Sequence, residues 1–248
     1  EIRLKILNSL LKTPNTINGI VNEIQLTYSS VSSNINKLEK KGYIYKRKGK
    51  FYISNVCNVF LNNILDFNKS INLIKNFENF WSNHIITAIN LSSLINITCL
   101  NDSKLIESTP TDIYKPHNYM KNLIINSKKI KAIFPYLHPD YPKILEELME
   151  NEAKIELIIP KNIENQLIEN IDKKIIKKSL NNENLIIKTI NGSIDLFLTV
   201  NSENMNLGLF KIDGSYDQNR LLSSNNFKAV EWGLKLFENF DKKYTGGK

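Results

Sequence analysis

The 248-residue sequence is 42% hydrophobic and 23% charged, with a net charge of +8, a composition that suits a folded chain with material for a core and excludes a disordered or fibrous one. No apolar run approaches the roughly 20 residues that cross a bilayer, and the first residues lack the basic-then-apolar pattern of a secretory signal, so no membrane partner is expected and the expected location is the cytoplasm. Cys57 and Cys99 have no second cysteine or histidine at metal-ligand spacing. They read as small half-buried apolar side chains in a reducing interior, and no metal or cofactor is expected.

The charge is uneven. Through Ser54 there are ten basic and three acidic residues, so +7 of the net +8 lies in the first fifth, while the 23 basic and 22 acidic residues beyond it nearly cancel. A basic head on a neutral body suggests a polyanion-binding module attached to something else.

Apolar spacing predicts a helix over Ile2–Leu11, ended by Thr13-Pro14, and a short second helix over Ile17–Ile24 capped by Asn15 or Thr16. After a break at Gln25-Leu26, Thr27 caps a third helix running to Lys41, with Gly42 taking a positive φ behind it. Two helices so closely joined form a helix-turn-helix. At about 100° per residue, Val31, Ile35 and Leu38 make one buried stripe of the third helix. The opposite face carries Ser29, Ser33, Asn36 and Lys40, flanked by Ser30 and Lys37. Serines weaken an exposed helix, whereas short polar side chains fringed by cations suit entry into a major groove. Tyr43–Tyr45 and Phe51–Ile53 then read as strands around a basic turn containing Arg47, Lys48 and Lys50, a wing whose cations fall where a phosphate strand would run.

The segment LTYSSVSSNINKLEKKGYIYKRKGKFYIS (Leu26–Ser54) resembles the recognition helix and wing of arsenic-repressor-like winged-helix repressors. The resemblance implies that Ser29, Ser30, Ser33, Asn36 and Lys37 face the groove. No arginine, the commonest reader of guanine, lies in the third helix, so the operator stays open.

Further along, Phe60, Ile64, Phe67, Ile71, Ile74 and Trp81 alternate spacings of four and three, broken only at Glu78. This heptad-like stripe predicts a connector helix that either pairs with its twin or packs on its own domains. Reading two half-sites favours pairing.

From about Ser92 the pattern becomes alternating strands and helices: a strand over Leu94–Leu100, a helix over Asn118–Asn126, a strand over Ile130–Tyr136, a helix over Tyr141–Glu150, a strand over Ile155–Pro160 and one helix over Ile163–Leu180. These read as βαβ units. Leu185–Ile190 and Ile194–Val200 are expected to form a hairpin across Asn191-Gly192, followed by Met205–Lys211 and a last helix over Asn226–Asp241. The ending GLFKIDGSYDQNRLLSSNNFKAVEWGLKLFENF (Gly208–Phe240), with FWSNH near Phe80, resembles archaeal regulators of the methanogen filament-regulator type. That resemblance implies an N-terminal winged helix and a C-terminal regulatory domain over nearly the whole chain. The sheet is more distantly similar to the phospholipase-D-like half-domain of archaeal sugar-responsive regulators.

No histidine is followed two residues later by lysine, as a phospholipase-D-type nucleophile requires, and there is no Gly-rich phosphate loop or Gly-x-Ser-x-Gly elbow. No catalytic residue is therefore assigned, and a non-enzyme is expected. A ligand is expected beyond the carboxyl ends of the parallel strands, at Tyr136-Leu137-His138 and Pro160-Lys161-Asn162. Phe134, Tyr136, His138 and Tyr141 supply aromatic walls and a polar group, and Tyr216 and Asp217 are added from the loop before the last helix. Core and loop packing is the competing reading for each.

The expected fold is α+β: a winged helix-turn-helix over 1–54, a helical connector over 55–91 and an α/β regulatory domain with a mixed sheet over 92–248. The expected function is a homodimeric regulator of double-stranded DNA, modulated by a small-molecule effector or partner at the body. The alternatives are a constitutive architectural DNA-binding protein and an enzyme tethered to nucleic acid.

Overall fold

Three helices open the chain: α1 (Ile2–Lys12), α2 (Ile17–Ile24) and α3 (Tyr28–Lys40). Thr16 caps α2 by accepting the Gly19 N–H at 3.2 Å, and Gln25 turns the chain in the left-handed region at φ 53°. Thr27 occupies the N-cap of α3 without a side-chain bond. Gly42 takes φ 71°, and the Tyr43 N–H reaches back to the Leu38 carbonyl at 3.0 Å to close the helix. Strands β1 (Ile44–Arg47) and β2 (Lys50–Ile53) pair antiparallel, with Arg47 opposite Lys50. Lys48 and Gly49 both have positive φ, the conformation that matches a two-residue hairpin turn to strand twist. Ile6, Leu10, Ile20, Val31, Ile35, Leu38, Ile44 and Phe51 form the core of this winged helix-turn-helix. Reciprocal backbone bonds between Asn15 and Phe51 fix β2 against the α1–α2 connection.

The structure, a computed structural model, describes residues 1–246 and divides into two units, Glu1–Lys69 and Ser70 onward. The boundary falls inside α4 (Asn55–Asn76), whose Cys57 and Leu61 belong to the first core. The helix expected to carry the stripe from Phe60 to Trp81 is broken. It ends at Asn76, a short α5 (Glu78–Ser82) follows, and Trp81, the last member of the expected stripe, is buried in the core of the second unit. Spacing alone could not separate a seam residue from a core residue once the helix had ended.

The second unit runs α6 (Leu91–Ile95), a single 3₁₀ turn (Ile97–Leu100), β3 (Lys104–Glu107), α7 (Lys115–Ile124), β4 (Lys129–Ile133), α8 (Tyr141–Glu150), β5 (Lys154–Pro160), α9 (Lys161–Glu169), α10 (Lys173–Asn181), β6 (Leu185–Ile190), β7 (Leu196–Val200), β8 (Met205–Leu209), β9 (Arg220–Ser224) and α11 (Phe227–Thr245). The sheet order is β3-β9-β8-β7-β4-β5-β6. β4, β5 and β6 are mutually parallel, and the other pairs are antiparallel. Side chains alternate across it. Ile130, Ala132 and Phe134 enter one core with α8, whereas Ile133, Leu198 and Val200 enter the other, beneath α11. Gly233 of α11 lets the helix lie on the sheet, since a Cβ there would stand 2.6 Å from Met205 Cγ.

Three expectations are corrected here. Leu94–Leu100 is helical, because Asn90 caps α6 by accepting the Ser93 N–H at 3.1 Å and Trp232 Nε1 donates to the Ser93 carbonyl at 2.8 Å. The single helix over Ile163–Leu180 is two, because Asp172 accepts the Lys174 and Ile175 amides and starts α10 afresh. The Asn191-Gly192 turn does not join paired strands: β6 lies at the sheet edge beside β5, while β7 sits between β8 and β4. Gly192 supplies the positive φ, but six parallel pairs with β5 choose the partner of β6. Strands β3 and β9 had no sequence expectation, although each is clear in the sheet.

Candidate functional site

The outward face of α3 is polar and basic as built. Ser29, Ser33, Asn36, Lys37 and Lys40 are exposed and Ser30 is half-buried, while Val31, Ile35 and Leu38 fill the core behind them. Lys41, Lys46, Arg47, Lys48 and Lys50 are exposed along the end of the helix and the wing. The ion pairs within the first unit are Lys5–Glu1, Lys12–Glu23 and Lys69–Asp66; among the described residues, no carboxylate pairs with any cation of this face. Two aromatic contributions escaped the sequence. Tyr28 stands exposed at the start of α3, and Tyr45 stacks on Tyr52 across the wing at 5.5 Å. Aromatics in short apolar segments read as core, so only burial reveals them.

On α4, Val56, Val59, Phe60, Ile64 and Phe67 are exposed, Phe67 at 67%. Ile71 is half-buried and Ile74 exposed.

In the second unit a cavity of about 320 Å³ lies beyond the carboxyl end of β4, at the small end of ligand pockets. Tyr136, His138, Tyr141 and Tyr216 line it together with His117, Tyr114, Met120, Phe197 and Leu221. Phe134 stands behind the wall, stacked on Tyr141 at 4.1 Å. Pro160, Lys161 and Asn162, at the end of β5, take no part in the lining. Burial pushes the phenols of Tyr136, Tyr141 and Tyr216 up, the last two strongly, so all three stay protonated. Tyr136 lies beside both others, its ring 5.8 Å from that of Tyr141 and 4.6 Å from that of Tyr216. Tyr216 rests on Gly208, where a Cβ would meet its hydroxyl at 2.3 Å.

At one end of the cavity His117 and His138 stack at 3.8 Å. His117 Nε2 lies 3.1 Å from Asp140 Oδ2, and Lys121 Nζ lies 3.6 Å from the same oxygen. The His117 hydrogen bond, with Lys121 beyond it, holds the Asp140 carboxyl below its ordinary value. Burial, followed by the neighbouring His117 charge, lowers the pKa of His138. Ligand atoms of His117, His138 and Asp140 lie within 4.8 Å of one another and could hold a metal ion. A cation there would compete with Lys121.

Asp217 does not line the cavity. It is buried against His84, with Nε2 to Oδ2 at 2.9 Å, while His84 Nδ1 lies 2.5 Å from the Phe80 carbonyl. The Asn219 amide donates to its other oxygen at 3.1 Å. The backbones of Asn83 and Ile85 bond to Ile212 and Phe210, so the two separated motifs FWSNH and GLFKIDGSYD meet in space.

A three-helix head with a basic wing, joined to a body built on a mixed sheet, defines a transcriptional regulator of the winged helix-turn-helix class. The family described as methanogenesis regulatory protein FilR1, middle domain, matches residues 113–243, more than half of the chain, and the chain belongs to that family. Residues 1–46 match the bacterial regulatory proteins of the arsR family. A curated relative, methanogenesis regulatory protein FilR1 of Methanothrix harundinacea (strain 6Ac), is 28% identical over 162 residues, covering 64% of this chain and 36% of its own length. The chain thus matches about a third of the length of that relative. Among solved structures, TrmBL2, an archaeal chromatin protein, aligns over 98% of this chain and 93% of its own at 11% identity and a TM-score of 0.45. The Thermotoga maritima IclR aligns over 97% and 96% at 13% identity and a TM-score of 0.26. Neither structural likeness is close enough to carry an inference.

Proposed function

We propose that this chain regulates transcription as a homodimer that binds operator DNA through two winged helices and responds to a small molecule held in its second unit. The observation that carries the reading is the exposed α3 face with its unpaired cations. Ser29, Ser30, Ser33 and Asn36 are short enough to approach base edges, while Lys37, Lys40, Arg47, Lys48 and Lys50 meet phosphates on either side. On this reading, residues 1–54 bind DNA, residues 55–91 connect and residues 92–248 sense. Among the described residues no helix is long and apolar enough to cross a membrane, which is consistent with work in the cytoplasm.

The α4 seam supports the dimer. Phe60, Ile64 and Phe67 repeat at four and three residues and are exposed in a single chain, the spacing at which a second helix interlocks. Introducing Phe60→Glu with Phe67→Glu is expected to turn a dimer into a monomer by sedimentation equilibrium, leave the circular dichroism of the head unchanged and abolish two-site operator binding. A wild-type chain that sediments as a monomer at micromolar concentration contradicts this part of the reading.

The cavity supports sensing rather than catalysis. Its wall offers protonated phenols and a depressed histidine, and the carboxylate of Asp140 beside it is already engaged by His117 and Lys121. A ligand acts only through unequal affinity for the DNA-competent and DNA-incompetent states. Cleavage of labelled DNA with a divalent metal, abolished by substitutions in the body, would defeat the non-enzymatic reading.

A further inference from the structure

The exposed aromatics of the first unit are Tyr28, Tyr45, Phe60 and Phe67. Tyr45 stacks on Tyr52 across the wing, Phe60 meets the edge of the Tyr43 ring at 6.5 Å, and Phe60 and Phe67 lie on the apolar stripe of α4. Tyr28 has no such neighbour. It stands 55% exposed at the first position of α3, and among the described residues no ring, cation or hydrogen-bonding group engages its side chain. The helix itself does not call for it. An aromatic is a poorer helix former than alanine, and the dipole would favour an acidic residue in the first turn, which holds none.

Its position aims it. The Cα–Cβ bonds of a helix tilt towards the N-terminus, so the side chain of the first residue projects past the leading end, the end that a recognition helix presents to base edges. At about 100° per residue, Tyr28 lies about 40° from Ser32 and about 80° from Asn36 around the helix. The surroundings complement DNA. Ser29, Ser33, Asn36, Lys37 and Lys40 are exposed, and none of the ion pairs of the first unit engages these lysines. An apolar partner covering Tyr28 would also cover these polar groups without supplying acceptors.

We propose that Tyr28 reads a thymine in each operator half-site, its ring lying against the C5-methyl group in the major groove. The proposal rests on the DNA-binding reading of α3 and names a base that it recognises. α3 has no arginine for the paired acceptors of guanine. Thymine alone adds an apolar group to the major-groove edge, and that group is what an aromatic ring can recognise. The short side chains around Tyr28 let the helix approach closely, and the one long side chain at its leading end then reaches the bases.

The test first selects an operator from randomised duplexes with the full chain. Each thymine is then replaced by uracil, which removes only the methyl group. One thymine per half-site is expected to be sensitive, with replacement in both halves weakening wild-type binding about fivefold or more. Tyr28→Ala should weaken operator binding about tenfold or more and abolish that sensitivity. It should leave Tm, the salt slope and the affinity for a non-operator duplex unchanged. Tyr28→Phe keeps the ring and should keep the preference for thymine over uracil. The proposal is overturned if Tyr28→Ala retains wild-type operator affinity or the wild-type uracil profile. Equal losses on operator and non-operator duplexes also overturn it, since they mark a phosphate contact, as does a fall in Tm that accounts for the loss. A wild-type chain that binds no duplex brings down the DNA-binding reading itself, whereas wild-type binding that Tyr28→Ala leaves untouched brings down this proposal alone.

Discussion

Replacing Lys37, Arg47 and Lys48 together by alanine is expected to weaken duplex DNA binding about 10²–10³-fold near 0.1 M salt and to flatten its salt dependence. All three side chains are exposed and have no acidic partner to release, so their removal leaves the fold of the head intact. Lys37 lies on α3 and the other two at the wing tip, which makes the loss a sum over contacts on separate phosphates. Each cation that meets a phosphate contributes about 0.9 to the slope of log affinity against log salt. A dimer losing three per head should therefore lose a slope of about 5. Lys174→Ala on α10, equally exposed, is the matched control and should change neither quantity. Fluorescence anisotropy across a salt series reads both.

Breaking the His84–Asp217 pair is expected to produce the largest loss of stability in the second unit. Both side chains are almost wholly excluded from water, at 0% and 2% exposure, and each of their four polar side-chain atoms is already bonded. Asp217→Ala leaves the buried His84 Nε2 without its acceptor, and His84→Ala leaves Asp217 with only the Asn219 amide and Arg220 Nη1 at 3.6 Å; breaking a buried pair from one side typically costs about 3–5 kcal/mol, with His84→Ala at the lower end. The double variant should cost less than the two single losses added together, because the orphan is then gone. Urea denaturation measures all three, and additive losses would show that the pair is not coupled. The pair also anchors the loop that carries Tyr216 to the cavity, so Asp217→Ala should weaken any cavity ligand even under conditions where the chain remains folded.

The head was almost entirely legible in the sequence. Thr16, Gly42, the apolar stripe of α3 and the Lys48-Gly49 turn are local signals, and local signals decided the structure there. The body was less so. Asn191-Gly192 specified a turn but not a partner, since strand partners are chosen by burial far away in sequence. Lys104–Glu107 and Arg220–Ser224 lie at one side of the sheet and pair with each other across more than a hundred residues, which no local pattern announces. For the cavity, the rule placing ligands at carboxyl ends of parallel strands led to Tyr136, His138 and Tyr141, but it gave equal weight to the end of β5, which contributes nothing. His117 has Asn118 and Tyr119 after it and no lysine two residues on, so catalytic spacing does not mark it. A histidine just after a Pro-opened helix start, with a second histidine near the next helix, was the available signal.

Binding of the wild-type chain to fluorescein-labelled duplexes from its own upstream region, followed between about 50 and 200 mM salt, tests the central claim most directly. The account predicts saturable binding of two chains per site, with a log–log slope of about −5 to −9 and an affinity falling about 10³–10⁵-fold over that range. No binding at the lowest salt, or binding indifferent to salt, would contradict it.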